Sequence, residues 1–233
     1  MARRIPPYEA FVTRAKEVFA GIPPEFTADV EDLVVHREVQ RHPLIADIVT
    51  LGECEDSPTA TLAGAGLVRS IVHLYYGSFA DLARRDDTFD VEAELVETVE
   101  HEVQHHLEDK AGVRGLEDDD DLFDAHARFL ADLDVPPGWY RRGRRLEPDV
   151  YAVDLDLFVE LRLRRREFER LRGTVVRLTV LGDPVEVELP ADADPAEIFT
   201  LEGEGLLQTA EDDKPGERDE VPAGDLHVVP VVR

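Results

Sequence analysis

Val91-Glu92-Ala93-Glu94-Leu95-Val96-Glu97-Thr98-Val99-Glu100-His101-Glu102-Val103-Gln104-His105-His106-Leu107 is the stretch whose reading decides the fold. Its apolar residues Val91, Leu95, Val99, Val103 and Leu107 recur at every fourth position, which predicts one amphipathic helix over residues 91–110. At about 100° per residue, His101 and His105 project roughly opposite that stripe and stack one turn apart. Two imidazoles so spaced can share one metal ion, with Glu102 beside it to activate a water. That is the chemistry of the H-E-x-x-H pattern, found here inside a helix as the chemistry requires.

A hydrolytic zinc site needs three protein ligands and one open position. The common extension, a glycine three residues after the second histidine and a further ligand three beyond it, fails here, because Glu108 and Ala111 occupy those places. The helix is expected to run to Gly112. A third ligand could then come from the acidic run Glu117, Asp118, Asp119, Asp120, Asp121, folding back as a loop, or from Asp124 or His126 on a following helix. His106 lies about 100° round the helix from His105 and is expected beside the site, within reach of Glu102, and not as a ligand. His36, His42 and His73 read as strand or loop residues.

Outward from this helix the first part of the chain reads as mixed α/β. A helix is expected over residues 7–20, with Phe11, Ala15, Val18 and Phe19 on one side. β-prone runs follow at 33–35, 45–51 and 70–76. Gly77 breaks the last of these, and Ser78 is the expected cap of a short helix. A further helix is expected over 122–133. Val135-Pro136-Pro137-Gly138 then supplies a helix stop that suits a domain boundary, which divides the chain into 1–135 and 136–233. Beyond it the period becomes strand-like: Val153, Leu155 and Leu157, then 175–180, then 185–189, with Gly182-Asp183-Pro184 as a turn and 225–232 as a closing strand.

The 233 residues can hold two small cores. There are 52 Asp and Glu against 26 Lys and Arg, a formal net charge of -26. Such a field repels phosphate backbones, so nucleic acid and anionic membranes are poor partners. The lone Cys54 excludes an internal disulfide framework and, with no apolar stretch long enough to span a bilayer, favours a cytoplasmic protein.

Residues 7–112 resemble the small bacterial zincin-like metallopeptidases. The likeness rests on Tyr8-Glu9-Ala10-Phe11-Val12 leading to Ile22-Pro23-Pro24-Glu25-Phe26, on Ile71-Val72-His73-Leu74-Tyr75-Tyr76-Gly77-Ser78-Phe79, and above all on Thr98-Val99-Glu100-His101-Glu102-Val103-Gln104-His105-His106. It implies a zincin core with a mixed sheet, zinc on His101 and His105, and Glu102 as general base. It also implies that strand 71–76 forms the rim on which an extended peptide pairs. Many members carry Gly-Leu-Ser-Asp soon after the doubled histidine. Gly115-Leu116-Glu117-Asp118 is the similar stretch here, about two turns later, and implies Asp118 as the third ligand.

The second part is similar to the C-terminal, client-binding β domain of DnaJ-type co-chaperones. The matching pieces are Trp139-Tyr140-Arg141-Arg142-Gly143, Val153-Asp154-Leu155-Asp156-Leu157, Gly173-Thr174-Val175, Val187-Glu188-Leu189-Pro190, Ile198-Phe199-Thr200-Leu201-Glu202-Gly203-Glu204-Gly205 and Gly224-Asp225-Leu226-His227-Val228. J domain, cysteine-rich zinc module and dimerising tail are missing, which favours a monomer. Residues 208–222 read as a polar excursion. The expected fold is therefore α+β, a zincin-like domain followed by a small all-β, sandwich-like domain. The expected function is a zinc peptidase acting on peptide or unfolded protein. The alternative is an inactive polypeptide-binding adaptor. Tyr75 or Tyr76 is a candidate oxyanion donor.

Overall fold

A computed structural model describes residues 5–56, 69–201 and 224–232. The chain forms two compact units, Met1–Asp120 and Asp121–Arg233. The division lies ahead of the expected break after Val135, inside a helix. Leu122, Ala125 and Phe129 of that helix pack in one cluster with Trp139, Tyr140 and Phe158, so they belong to the second core.

In the first unit, α1 (Tyr8–Gly21) and α2 (Pro24–Thr27) precede β1 (Val30–His36), β2 (Gln40–Arg41), β3 (Val49–Thr50), β4 (Gly52–Asp56) and β5 (Ser70–Tyr75). Helices α3 (Tyr76–Arg85) and α4 (Val91–Ala111) follow. The main sheet is mixed, in the order β1-β5-β4, with β1 parallel and β4 antiparallel to the central β5. Strand β5 is therefore paired on both sides and cannot be a rim, contrary to the expectation from the zincin likeness. Among the described residues the edge strands of this sheet are β1 and β4. The run 45–51 is mostly turn and not a strand; only Val49–Thr50 pairs, with Gln40–Arg41.

The core of this unit joins Phe11 and Ala15 of α1, Leu33 of β1, Val72 and Leu74 of β5, Phe79 of α3, and Val91, Leu95, Val99 and Val103 of α4. The four-residue stripe of α4 is thus its buried face, as its period requires. Asp90 caps the helix by accepting from the amides of Glu92 and Ala93. At the other end Gly112 adopts φ +67°, the left-handed turn that stops the helix and that a side chain would strain. Ser78 does not cap α3. It lies inside the first turn, where its hydroxyl accepts from the Gln40 amide at 3.0 Å.

The second unit holds a five-stranded sheet in the order β11-β12-β8-β7-β6. Its strands are β6 (Arg144–Glu147), β7 (Val150–Val153), β8 (Asp156–Leu163), β11 (Phe199–Leu201) and β12 (Leu226–Val232). Helix α6 (Arg165–Leu171) and the hairpin β9 (Thr174–Val180) and β10 (Asp183–Leu189) intervene, the hairpin being where alternation placed it. One face of the sheet packs Ala152, Leu157, Val159 and Val228 against Phe168, Val180, Val185 and Val187. The opposite face packs Tyr151, Val153 and Phe158 under the α5 (Gly115–Leu130) residues named above.

Two expectations fail in this unit. The domain is not all-β, since α5 and α6 contribute to its cores. Val153, Leu155 and Leu157 do not share a strand face: Asp154, at φ +50°, turns the chain between β7 and β8 and leaves Leu155 exposed. Residues 202–205 of the fifth DnaJ-like piece and the excursion 208–222 lie outside the described residues. Among the described residues no helix is long and apolar enough to cross a membrane.

Candidate metal site in the first unit

Helix α4 sets His101 and His105 one turn apart, with their Nε2 atoms 3.1 Å from each other. The chain after Gly112 does not loop back. It starts α5 at Gly115, so the acidic run expected as a loop is the first turns of a helix. Glu108, which stands where the extended motif has glycine, holds this start in place: its carboxylate accepts the Leu116 amide at 2.8 Å.

That turn delivers Asp120, and not Asp118, to the histidine pair. Asp120 approaches His105 Nε2 at 3.0 Å and His101 Nε2 at 3.8 Å. Residues 118 and 120 lie about 200° apart on a helix, so only one of them can face the pair. The acidic run named from the sequence thus supplies the neighbour of the pair, and that neighbour is Asp120, where the zincin likeness implies Asp118. His126, another candidate, bonds to Asp156 in the second unit at 2.8 Å.

One ligand atom from each of His101, His105 and Asp120 lies within 4.8 Å of the others, and this is the only such group of three among the described residues. Tetrahedral zinc with bonds of about 2.0–2.1 Å places its donor atoms roughly 3.3 Å apart. The two Nε2 atoms, 3.1 Å apart, and Asp120 Oδ2, 3.0 Å from His105 Nε2, lie close to that value, while the nearest Asp120 oxygen to His101 Nε2, Oδ1, stands at 3.8 Å. Two imidazoles and a carboxylate are also a donor set that zinc accepts, so the residues present fit the ion. Without it, pairing with Asp120 raises the proton affinity of His101, against the opposing effect of burial. Asp120 is held below the usual carboxylate range, chiefly by His101.

Glu102 is only 5% exposed and makes no hydrogen bond among the described residues. Burial pushes its pKa up to about 7; His101 opposes this, while Asp120 and Glu53 add to it. A carboxyl poised near neutrality suits a group that must take up and release a proton. Strand β4 lies directly against it: a Cβ on Gly52 would come within 2.9 Å of Glu102 Oε1 and 2.6 Å of Thr98 Cγ2. Glycine is required at position 52 for this close approach.

The remaining candidates take structural roles. His106 is fully buried and does not reach Glu102. Its Nε2 faces the Ala28 carbonyl at 2.9 Å and its Nδ1 faces the Ser70 hydroxyl at 2.8 Å. Because a carbonyl only accepts, Nε2 carries the proton and Nδ1 receives the Ser70 hydroxyl hydrogen. His106 thereby fastens the turn of α4 that carries His101 and His105 to β5 and to the segment before β1. His36 and His73 bond to each other at 2.8 Å, and His42 accepts the Ile45 amide at 2.9 Å. The Tyr75 hydroxyl donates to Glu53 at 2.7 Å, and burial followed by Glu53 raises its proton affinity. The Tyr76 hydroxyl donates to the Pro6 carbonyl at 3.0 Å, so both tyrosines are engaged as anchors.

No family model and no curated protein matches this chain. Among solved structures, a protein from Thermo thermophilus described as a conserved hypothetical protein is 35% identical. The match covers 46% of this chain and 98% of that one, with a TM-score of 0.39. That description names no activity.

Proposed function

We propose that the first unit is a zinc-dependent peptidase of zincin type, with His101, His105 and Asp120 holding the metal and Glu102 as general base. The observation that carries this reading is the convergence of three ligand atoms within 4.8 Å beside a carboxyl that is buried and unbonded. Zinc in such a site supplies a Lewis acid for water and for a carbonyl. Glu102 takes the proton of the attacking water and returns it to the leaving amine. The open edge of β4 offers unpaired backbone groups on which an extended peptide can lie beside Glu102.

For the second unit the proposed role is to hold unfolded or extended polypeptide, which rests on its likeness in sequence to the DnaJ C-terminal domain. The adaptor reading draws its motive from a missing third ligand, a place for which Asp120 is the candidate. Incubation with unfolded casein and zinc tests the choice. Cleavage that Glu102→Ala abolishes is expected. Equal behaviour of wild type and Glu102→Ala, with casein kept from aggregating by both, would favour the adaptor.

A further inference from the structure

A cleft of about 220 Å³ opens beside the metal ligands, lined by Gly52 of β4 and by Glu94, Glu97, Thr98, His101 and Glu102 of α4. The α4 residues share one face: positions 94, 97, 98 and 101 follow the three-and-four spacing of a helix stripe, with Glu102 beside them. The cleft is therefore a track along α4 that begins at the metal ligands and runs toward the N-terminus of the helix, with the first residue of β4 on its opposite wall.

The track has no cation of its own. Glu102 reaches into it while 95% buried and without a hydrogen-bond partner among the described residues. A divalent ion on the two histidines would be balanced by Asp120 and Glu102. The charges of Glu94 and Glu97 would then remain uncompensated. Glu94 is half-buried and Glu97 exposed, and neither has an ion-pair partner among the described residues.

We propose that Glu94 and Glu97 form a subsite for a cationic side chain, so that this peptidase selects polypeptides carrying lysine or arginine close to the cleaved bond. The proposal rests on the peptidase reading for the identity of the ligand. The spacing fixes where the cation sits. Glu97 is four residues and Glu94 seven residues before His101, about 6 and about 10 Å along the helix axis at ~1.5 Å per residue. An extended peptide advances ~3.3 Å per residue, so the selected side chain lies two or three residues from the scissile bond. Arginine is favoured over lysine where both carboxylates engage it together, because its planar fork donates in two directions.

The test uses the full chain loaded with zinc and fluorescein-labelled heptapeptides that differ at a single position, occupied by Arg, Gln or Glu. Binding is read by anisotropy on Glu102→Gln, and cleavage by mass spectrometry on wild type. Arg over Gln should give about a five- to tenfold gain in binding, shrinking with added salt. Glu97→Lys, verified as folded by its zinc content, should invert the order so that the Glu peptide binds best. Cleavage without preference among the three peptides would overturn the subsite and leave the peptidase standing. Arg-selective binding that Glu97→Lys inverts, with no cleavage by wild type, would support the subsite and overturn the peptidase. Neither binding nor cleavage would overturn both.

Discussion

Each unit of this protein gathers two histidines and an aspartate, and the two groups are built for opposite ends. In the first unit His101, His105 and Asp120 turn their polar atoms toward one another, and the Asp120 side chain is 57% exposed. In the second, the Asp156 carboxylate faces His126 Nε2 at 2.8 Å and His227 Nε2 at 3.2 Å through one oxygen, and accepts the Asp225 amide at 2.8 Å through the other. His227 closes the chain by pairing its Nδ1 with the Thr200 hydroxyl at 2.9 Å. Asp156, His126 and His227 are all buried. Residue type does not separate a metal site from a structural clamp. The separation lies in whether the polar atoms converge on open space or are already consumed by protein partners.

The largest expected effect separates the two aspartates. Asp156→Ala leaves two buried imidazoles without their acceptor and should destabilise the second unit by about 3–5 kcal/mol. Asp120→Ala removes an exposed pair and should change the stability of metal-free protein by no more than about 1 kcal/mol. Urea unfolding of both variants measures this, and equal losses would erase the distinction between clamp and open site. A smaller effect is expected at Ser70. Ser70→Ala takes away the partner of buried His106 Nδ1 and should cost about 1–3 kcal/mol, which would show that a closed polar clamp also supports the helix of His101 and His105 from behind. An unchanged unfolding midpoint would remove His106 from that role.

The smallest effect is a pair of opposite pH dependences in metal-free protein. Burial holds His227 below its ordinary value, against the pull of Asp156. Its contribution to stability is therefore complete above about pH 6.5 and is lost as pH falls through the lowered folded value. His101 is raised, chiefly by Asp120, so its contribution is complete below about pH 6.5 and is lost as pH rises through the raised value. Hydrogen exchange corrected for intrinsic rates should show protection of β12 rising with pH while that of the His101 turn falls. Movement in the same direction would contradict the assignment of the two clusters.

The sequence made α4 legible because its buried stripe and its Gly112 stop point to the same helix. The stacking of His101 on His105 followed from that helix alone. What could not be read was set by contacts distant in sequence. Five consecutive acidic residues resemble a solvated loop, yet they become helix because Glu108 caps the start and Leu122, Ala125 and Phe129 bury the far end. The choice of Asp120 over Asp118 then depends on the angle at which α5 leaves that cap, which no local pattern encodes. Strand β4, with Glu53 and Glu55 in its middle, lacks the apolar alternation of a strand and exists through its pairing with β5. The parallel pairing of β12 with β8 joins residues far apart in the chain and was equally invisible. A signal for Glu108 was present: its occupation of the glycine place marked it as the residue around which the chain had to be rerouted.

The measurement that bears most directly on the central claim is metal content per chain, by elemental analysis of wild type, His101→Ala/His105→Ala, Asp120→Ala and Asp118→Ala after dialysis against zinc. About one zinc per chain in wild type and in Asp118→Ala, with loss in the other two variants, is the result that the geometry of His101, His105 and Asp120 predicts. Wild-type protein without zinc, or zinc retained in full by Asp120→Ala and lost in Asp118→Ala, would contradict it.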